Sequence, residues 1–116
     1  MPTLTDKYIW TEGTEKAGLT TGNNDGTLTL DATRATAGQS IHRVLVTAPG
    51  ATGKVYVQFF DDAAATTPIS GTLPLNAQPP EGFVINKTVS SGKLGYRITG
   101  VTGGSATAYL TVIYST

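Results

Sequence analysis

Cysteine is absent from the 116 residues, which excludes a disulfide framework, an iron–sulfur cluster and a cysteine-based zinc site. Histidine occurs once, as His42, so a centre built from several imidazoles is excluded as well. Charge is scarce. Eight Lys+Arg balance eight Asp+Glu, giving a formal net charge of zero. The cations are scattered from Lys7 to Arg97 and no two are adjacent. A phosphate backbone attracts a clustered basic face, so nucleic acid is not an expected partner. Long apolar runs are missing too. Val44-Leu45-Val46 and Val112-Ile113-Tyr114 are strand-sized, far short of the ~18–20 apolar residues of a membrane span. No membrane partner is expected. Met1–Asp6 lacks a basic start and no apolar run follows it, so no secretory leader is expected.

What is abundant is threonine, with 21 residues, and glycine, with 14. Helices favour Ala, Leu, Glu and Lys instead, and disorder favours charge over apolar residues. The apolar pattern has period two. Val55, Val57 and Phe59 share one face of 54–60; Leu94, Tyr96 and Ile98 alternate with Gly95, Arg97 and Thr99; Ala106, Ala108, Leu110, Val112 and Tyr114 alternate with Thr107, Tyr109, Thr111 and Ile113. Such alternation marks half-buried strands. Turn residues separate them, among them Asn24-Asp25-Gly26, Pro49-Gly50, Pro79-Pro80, Ser91-Gly92 and Gly103-Gly104, with Asp25-Gly26 and Gly103-Gly104 suited to tight hairpins. Short strands with turns every 8–12 residues indicate an all-β sandwich or barrel.

The pattern predicts about eight strands, near 7–12, 27–31, 40–48, 54–60, 69–75, 82–90, 93–99 and 105–114, in a single antiparallel β-sandwich of jelly-roll type. Val57 and Leu110 are expected in its core. Asp61–Thr67 admits at most one helical turn, and a loop fits equally well. Residues 1–38 are polar and weakly periodic and read as an N-terminal arm or peripheral hairpin; residues 39–116 read as the sandwich core. Tyr8, Ile9 and Trp10 are the apolar cluster of the arm and its candidate interface, folded onto the chain's own sandwich or reaching a neighbouring subunit.

No residues nominate themselves for catalysis, for a cofactor or for a metal. Asp61-Asp62 is the sole adjacent carboxylate pair, and neighbours on a strand point to opposite faces. His42 has no nucleophile in a recognisable setting and reads as a strand-edge or interface residue. Gly22–Gly26 superficially matches a calcium loop, but the first and twelfth positions would be Thr21 and Ala32, which carry no carboxylate. Gly100–Gly104 lacks the Lys and following helix of a phosphate loop. Asn86-Lys87-Thr88 matches the N-glycosylation pattern, which means little without a leader. The aromatics could in principle form a sugar-stacking platform, although most fall at alternating strand positions.

Residues 55–64, Val-Tyr-Val-Gln-Phe-Phe-Asp-Asp-Ala-Ala, are followed by Pro68-Ile69-Ser70-Gly71-Thr72-Leu73-Pro74-Leu75, then Gly82-Phe83-Val84-Ile85, residues 92–100, and Ala108–Tyr114. Over residues 40–114 this order resembles the small β-sandwich virion proteins of tailed bacteriophages. Those place a strand ending in Asp-Ala-Ala, a Pro-Ile strand, a Phe-containing strand, a Gly/Leu-rich strand and a final Thr/Val-rich strand. The resemblance implies a structural virion protein that decorates or cements the capsid. Its partners would be the major capsid protein and itself, as a homo-oligomer with a trimer as one form, and its location the virion. The motifs are strand patterns, and no functional residue carries over. A low-charge, Thr-rich surface suits this role because charges are depleted in interface cores, and exposed sheet edges would offer backbone groups to a neighbour's strand. A carbohydrate- or receptor-binding sandwich, such as a tail accessory or adhesin module, is the alternative. An enzyme is not expected.

Overall fold

Each run of alternating residues can bury one face only if a second sheet covers it, so eight such strands resolve into two stacked layers. The computed structural model describes residues 9–30, 39–62, 64–90, 92–102 and 106–115. It contains eight strands: β1 (Ile9–Lys16), β2 (Asn24–Thr29), β3 (Gln39–Thr47), β4 (Tyr56–Phe60), β5 (Leu73–Pro74), β6 (Phe83–Val89), β7 (Lys93–Thr99) and β8 (Ala108–Ser115). One sheet has the order β1-β8-β3-β6 and the other β2-β7-β4-β5. Every pairing is antiparallel.

The pairs β1–β8, β2–β7, β3–β6 and β4–β5 describe one long ribbon, folded back on itself between β4 and β5. Successive pairs alternate between the sheets, and β8–β3 and β7–β4 zip the rolled ribbon together. This is the strand order of a jelly-roll sandwich.

The predicted alternation sets the core. Val57, Phe59, Leu94, Ile98, Leu110 and Val112 are buried between the layers. Full burial of each such side chain is worth about 1.5–3 kcal/mol. Leu19, Leu28 and Leu30 join the same core, so residues 9–30 are part of the sandwich. They form no hairpin with each other, since β1 and β2 are edge strands of different sheets.

Two local expectations change, and a third resolves to one of its two alternatives. Asp25-Gly26 is not a turn; it lies inside β2, opposite Arg97 and Tyr96. The turn comes earlier and is held by Asn24, whose side chain accepts from the Thr20 N–H at 2.8 Å and donates to the Thr20 carbonyl at 3.0 Å and the Ile98 carbonyl at 2.9 Å. The strand expected over 69–75 shrinks to Leu73–Pro74, followed by a short 3₁₀ turn at Leu75–Ala77; before it the ladder is interrupted at Ser70, whose hydroxyl accepts from the Phe59 N–H at 3.0 Å and whose carbonyl accepts from the Gln58 side chain at 3.1 Å. The segment after β4 is a loop. The Asp62 carboxylate accepts from the N–H groups of Thr66 (2.9 Å) and Thr67 (3.2 Å), and Ala65 takes a positive φ of 56°. Gly103-Gly104 lies outside the described residues.

Candidate docking surface

Directly opposed residues of an antiparallel ladder share a face, so the register assigns each side chain to the interior or the exterior. On the first sheet, Tyr109, Thr111 and Ile113 of β8 point outward. Glu15, Gly13 and Thr11 stand beside them on β1, and Thr47, Leu45 and Arg43 on β3. Val84 of β6 lies next to Arg43. Val84 is 61% exposed and Tyr109 47%, the large apolar side chains that stand out among the described residues. Leu45 and Ile113, between them, are half-buried. The face is thus mainly apolar and threonine. Arg43 and Glu15, both exposed, occupy opposite corners of its β1-β8-β3 part.

The outer face of the second sheet is different because the chain covers it. Phe60 points outward there, opposite Gly95, yet is only 3% exposed. The loop after β4 folds back across these two residues, with the Asp62 carbonyl resting on Gly95 where any Cβ would overlap it. Asp61 fixes the loop from the other side, accepting from the Ser90 N–H at 2.7 Å and its hydroxyl at 3.0 Å. The Arg97 guanidinium stacks over the Phe60 ring at 5.6 Å and makes a two-pronged bond to Asp25, 2.7 and 3.0 Å long. The Arg97 contact holds the Asp25 carboxyl below its ordinary value and pushes the guanidinium higher. The hydrogen bond from the Thr66 hydroxyl does most to lower Asp62. Both members of the Asp61-Asp62 pair therefore serve the backbone of a loop, and they do so on different segments.

His42 sits at an irregularity in β3, where Ile41 faces Tyr114 and Arg43 faces Ile113, leaving His42 as the extra residue. Its Nε2 shares a 3.0 Å hydrogen bond with the Ser115 hydroxyl. Among the described residues no group of three His, Asp or Glu side chains converges in a way that could hold a metal ion. Of the cluster read as an interface, Tyr8 lies outside the described residues and Ile9 begins β1. Trp10 shares the interior side of the ladder with Tyr114 and packs half-buried against the core.

Three of the four edge strands are poor templates for an added strand. β1 turns Glu12 and Lys16 toward the interior side, where Glu12 accepts from the Tyr114 hydroxyl at 3.3 Å. β6 is interrupted opposite His42 and carries Asn86 at a φ of 51°. β5 has two residues, one of them proline. Inward charges, bulges and short edges all discourage edge-to-edge pairing, so among the described strands β2 is the one edge without such a device.

One cleft of about 370 Å³ opens at an end of the sandwich, between Val46, Ala48, Ala51, Lys54, Val55 and Leu75. Its floor is structural. The Gln78 side chain accepts from the Val46 N–H at 2.8 Å and donates to the Val46 carbonyl at 3.0 Å, continuing the β3–β6 ladder where β6 has run out. Lys54 is the sole charged residue among its walls.

The outer face of the first sheet was not singled out by sequence reasoning. Its signal is the odd set of β8, where Tyr109 and Ile113 are as apolar as many core positions. Comparison with protein-family models, curated proteins and solved structures finds no match to the chain.

Proposed function

We propose that this chain is a structural subunit that works by adhering to other proteins. In particular, it is a capsid decoration protein that binds the major capsid protein and itself within a virion. The observation that carries the reading is the outer face of the first sheet, which exposes Val84 and Tyr109 beside Leu45 and Ile113 while the other sheet's outer face is partly covered by its own loop. Exposed apolar side chains gathered on one face mark a surface made to be covered. The strand order over residues 40–114 and the jelly-roll path, an architecture used by viral coat proteins and by lectins alike, support the virion setting. Fold alone does not assign function, so the surface carries the weight.

A sugar-stacking platform has less behind it. Phe59, Phe60, Phe83, Tyr96 and Tyr114 are buried and Trp10 packs on the core. Tyr56 and Tyr109 lie on the outer faces of opposite sheets, too far apart to flank one ring.

The test is co-sedimentation of the full chain with capsids assembled from the major capsid protein of the phage that encodes it. Saturable pelleting is expected, weakened by Tyr109→Asp or Val84→Asp. A chain that stays in the supernatant beside intact shells overturns the assignment.

A further inference from the structure

Resting on the reading of this face as a docking surface, we infer that its occupant is a second copy of the chain, packed face to face about a two-fold axis. An interface of that kind must be complementary to itself, and the arrangement of charge and apolar bulk on the face meets that demand.

Two rows of the ladder define the geometry. Thr11, Ile113 and Arg43 form one, and Glu15, Tyr109 and Thr47 the other. Strands lie about 4.8 Å apart and rise about 3.4 Å per residue, so Glu15 and Arg43 stand roughly 17 Å apart on a diagonal. Thr111 lies at its midpoint, flanked by Gly13 and Leu45. A two-fold axis in the plane of contact, passing through Thr111 and perpendicular to that diagonal, sets Arg43 of each copy over Glu15 of the other. The same rotation carries Tyr109 of each copy over Leu45, beside Val84, of the other. The exposed aromatic thus meets the exposed aliphatic patch, twice over.

Three further observations favour a copy of the chain over a different protein. Arg43 and Glu15 are the charges of this part of the face, they are of opposite sign, and both are exposed. The formal net charge is zero, so two copies meet without net repulsion. Thr111, on the axis, and Gly13 beside it are small, while Leu45 on the other side of Thr111 is the residue that meets Tyr109 of the other copy.

Sedimentation velocity of the full chain over a concentration series decides it, with circular dichroism confirming that each variant is folded. A dimer is expected. Arg43→Glu and Glu15→Arg should each weaken it about tenfold, since each breaks two symmetric ion pairs and sets like charges together. The double variant should recover most of that loss, which a merely structural role for either residue does not predict. A monomer at every concentration overturns the inference. A trimer does so too, because a ring uses two different surfaces. A dimer indifferent to both charge reversals and to Tyr109→Asp also overturns it. The docking reading itself survives any of these if Tyr109→Asp weakens pelleting with capsids, because the face then meets the shell and not a second copy, so the two failures are separable.

Discussion

The Tyr96 phenol lies on Gly26, its direct partner across the β2–β7 ladder, in the space a Cβ at residue 26 would fill. The glycine is present for what it lacks, since its φ is not among the positive ones. Tyr96 is buried, and that burial pushes its hydroxyl above the ordinary value of 10.0, so the phenol stays neutral at any physiological pH. An aromatic ring laid over a strand glycine closes the gap a missing side chain leaves in a sheet.

Gly26→Ala should therefore destabilise the fold, by about 1–3 kcal/mol as for other overpacked cores. Urea unfolding should show a lower midpoint at an unchanged slope. Tyr96→Phe on the alanine background should recover part of the loss, because the hydroxyl is one of the overlapping atoms but the ring remains close. Strict additivity of the two changes would show that the contact does not couple them.

The same pair shows where the sequence was legible and where it was not. Period-two alternation was enough to place β3, β4, β6 and β7 within two residues at each end and β8 within three, and to bury Val57 and Leu110. It could not distinguish a glycine that turns the chain from one that admits a neighbour's ring, because both are the same letter; Asp25-Gly26 reads as a hairpin and is a strand. Nor does alternation say which strand pairs with which. Residues 1–38 read as an arm or peripheral hairpin by composition; within them β1 and β2 each supply one edge strand, in different sheets. The proposed docking surface was hidden for a similar reason. The period gives two faces to each sheet, but which outer face is covered depends on where the loop after β4 comes to rest, and that is set by Asp61 reaching Ser90 across 29 positions.

Acid should loosen the molecule through two carboxylates. Asp25 is held below its ordinary 3.8, chiefly by the Arg97 hydrogen bond, and Asp62 chiefly by the Thr66 hydroxyl. A carboxyl whose value is lower in the folded chain adds stability above its unfolded value and loses it as pH falls through the folded one. Their contribution is thus constant near neutrality, begins to fall near the ordinary carboxylate value of 3.8 and is lost as pH drops through the lower folded values. Asp25 and Arg97 side chains are 41% and 30% exposed, so solvent screening keeps the effect small. Unfolding midpoints measured from pH 7 down to pH 2 should fall less steeply for Asp25→Asn/Asp62→Asn than for the parent chain. An identical acid limb would mean that other groups carry it.

Gln78 tests whether the floor of the cleft is structural. Its side chain replaces a β6 residue, offering one acceptor and one donor to Val46 where the strand has ended. Gln78→Ala should cost about 1–3 kcal/mol, because it leaves a part-buried Val46 N–H and carbonyl without these bonds. Gln78→Glu keeps the acceptor and loses the donor, placing a carboxylate against the Val46 carbonyl, so it should be destabilised as well. Hydrogen exchange at the Val46 amide is the local readout. It should quicken in Gln78→Ala more than at Val44, whose partners Val112 and Phe83 are untouched. Equal protection at both amides would mean that water substitutes for the glutamine without loss.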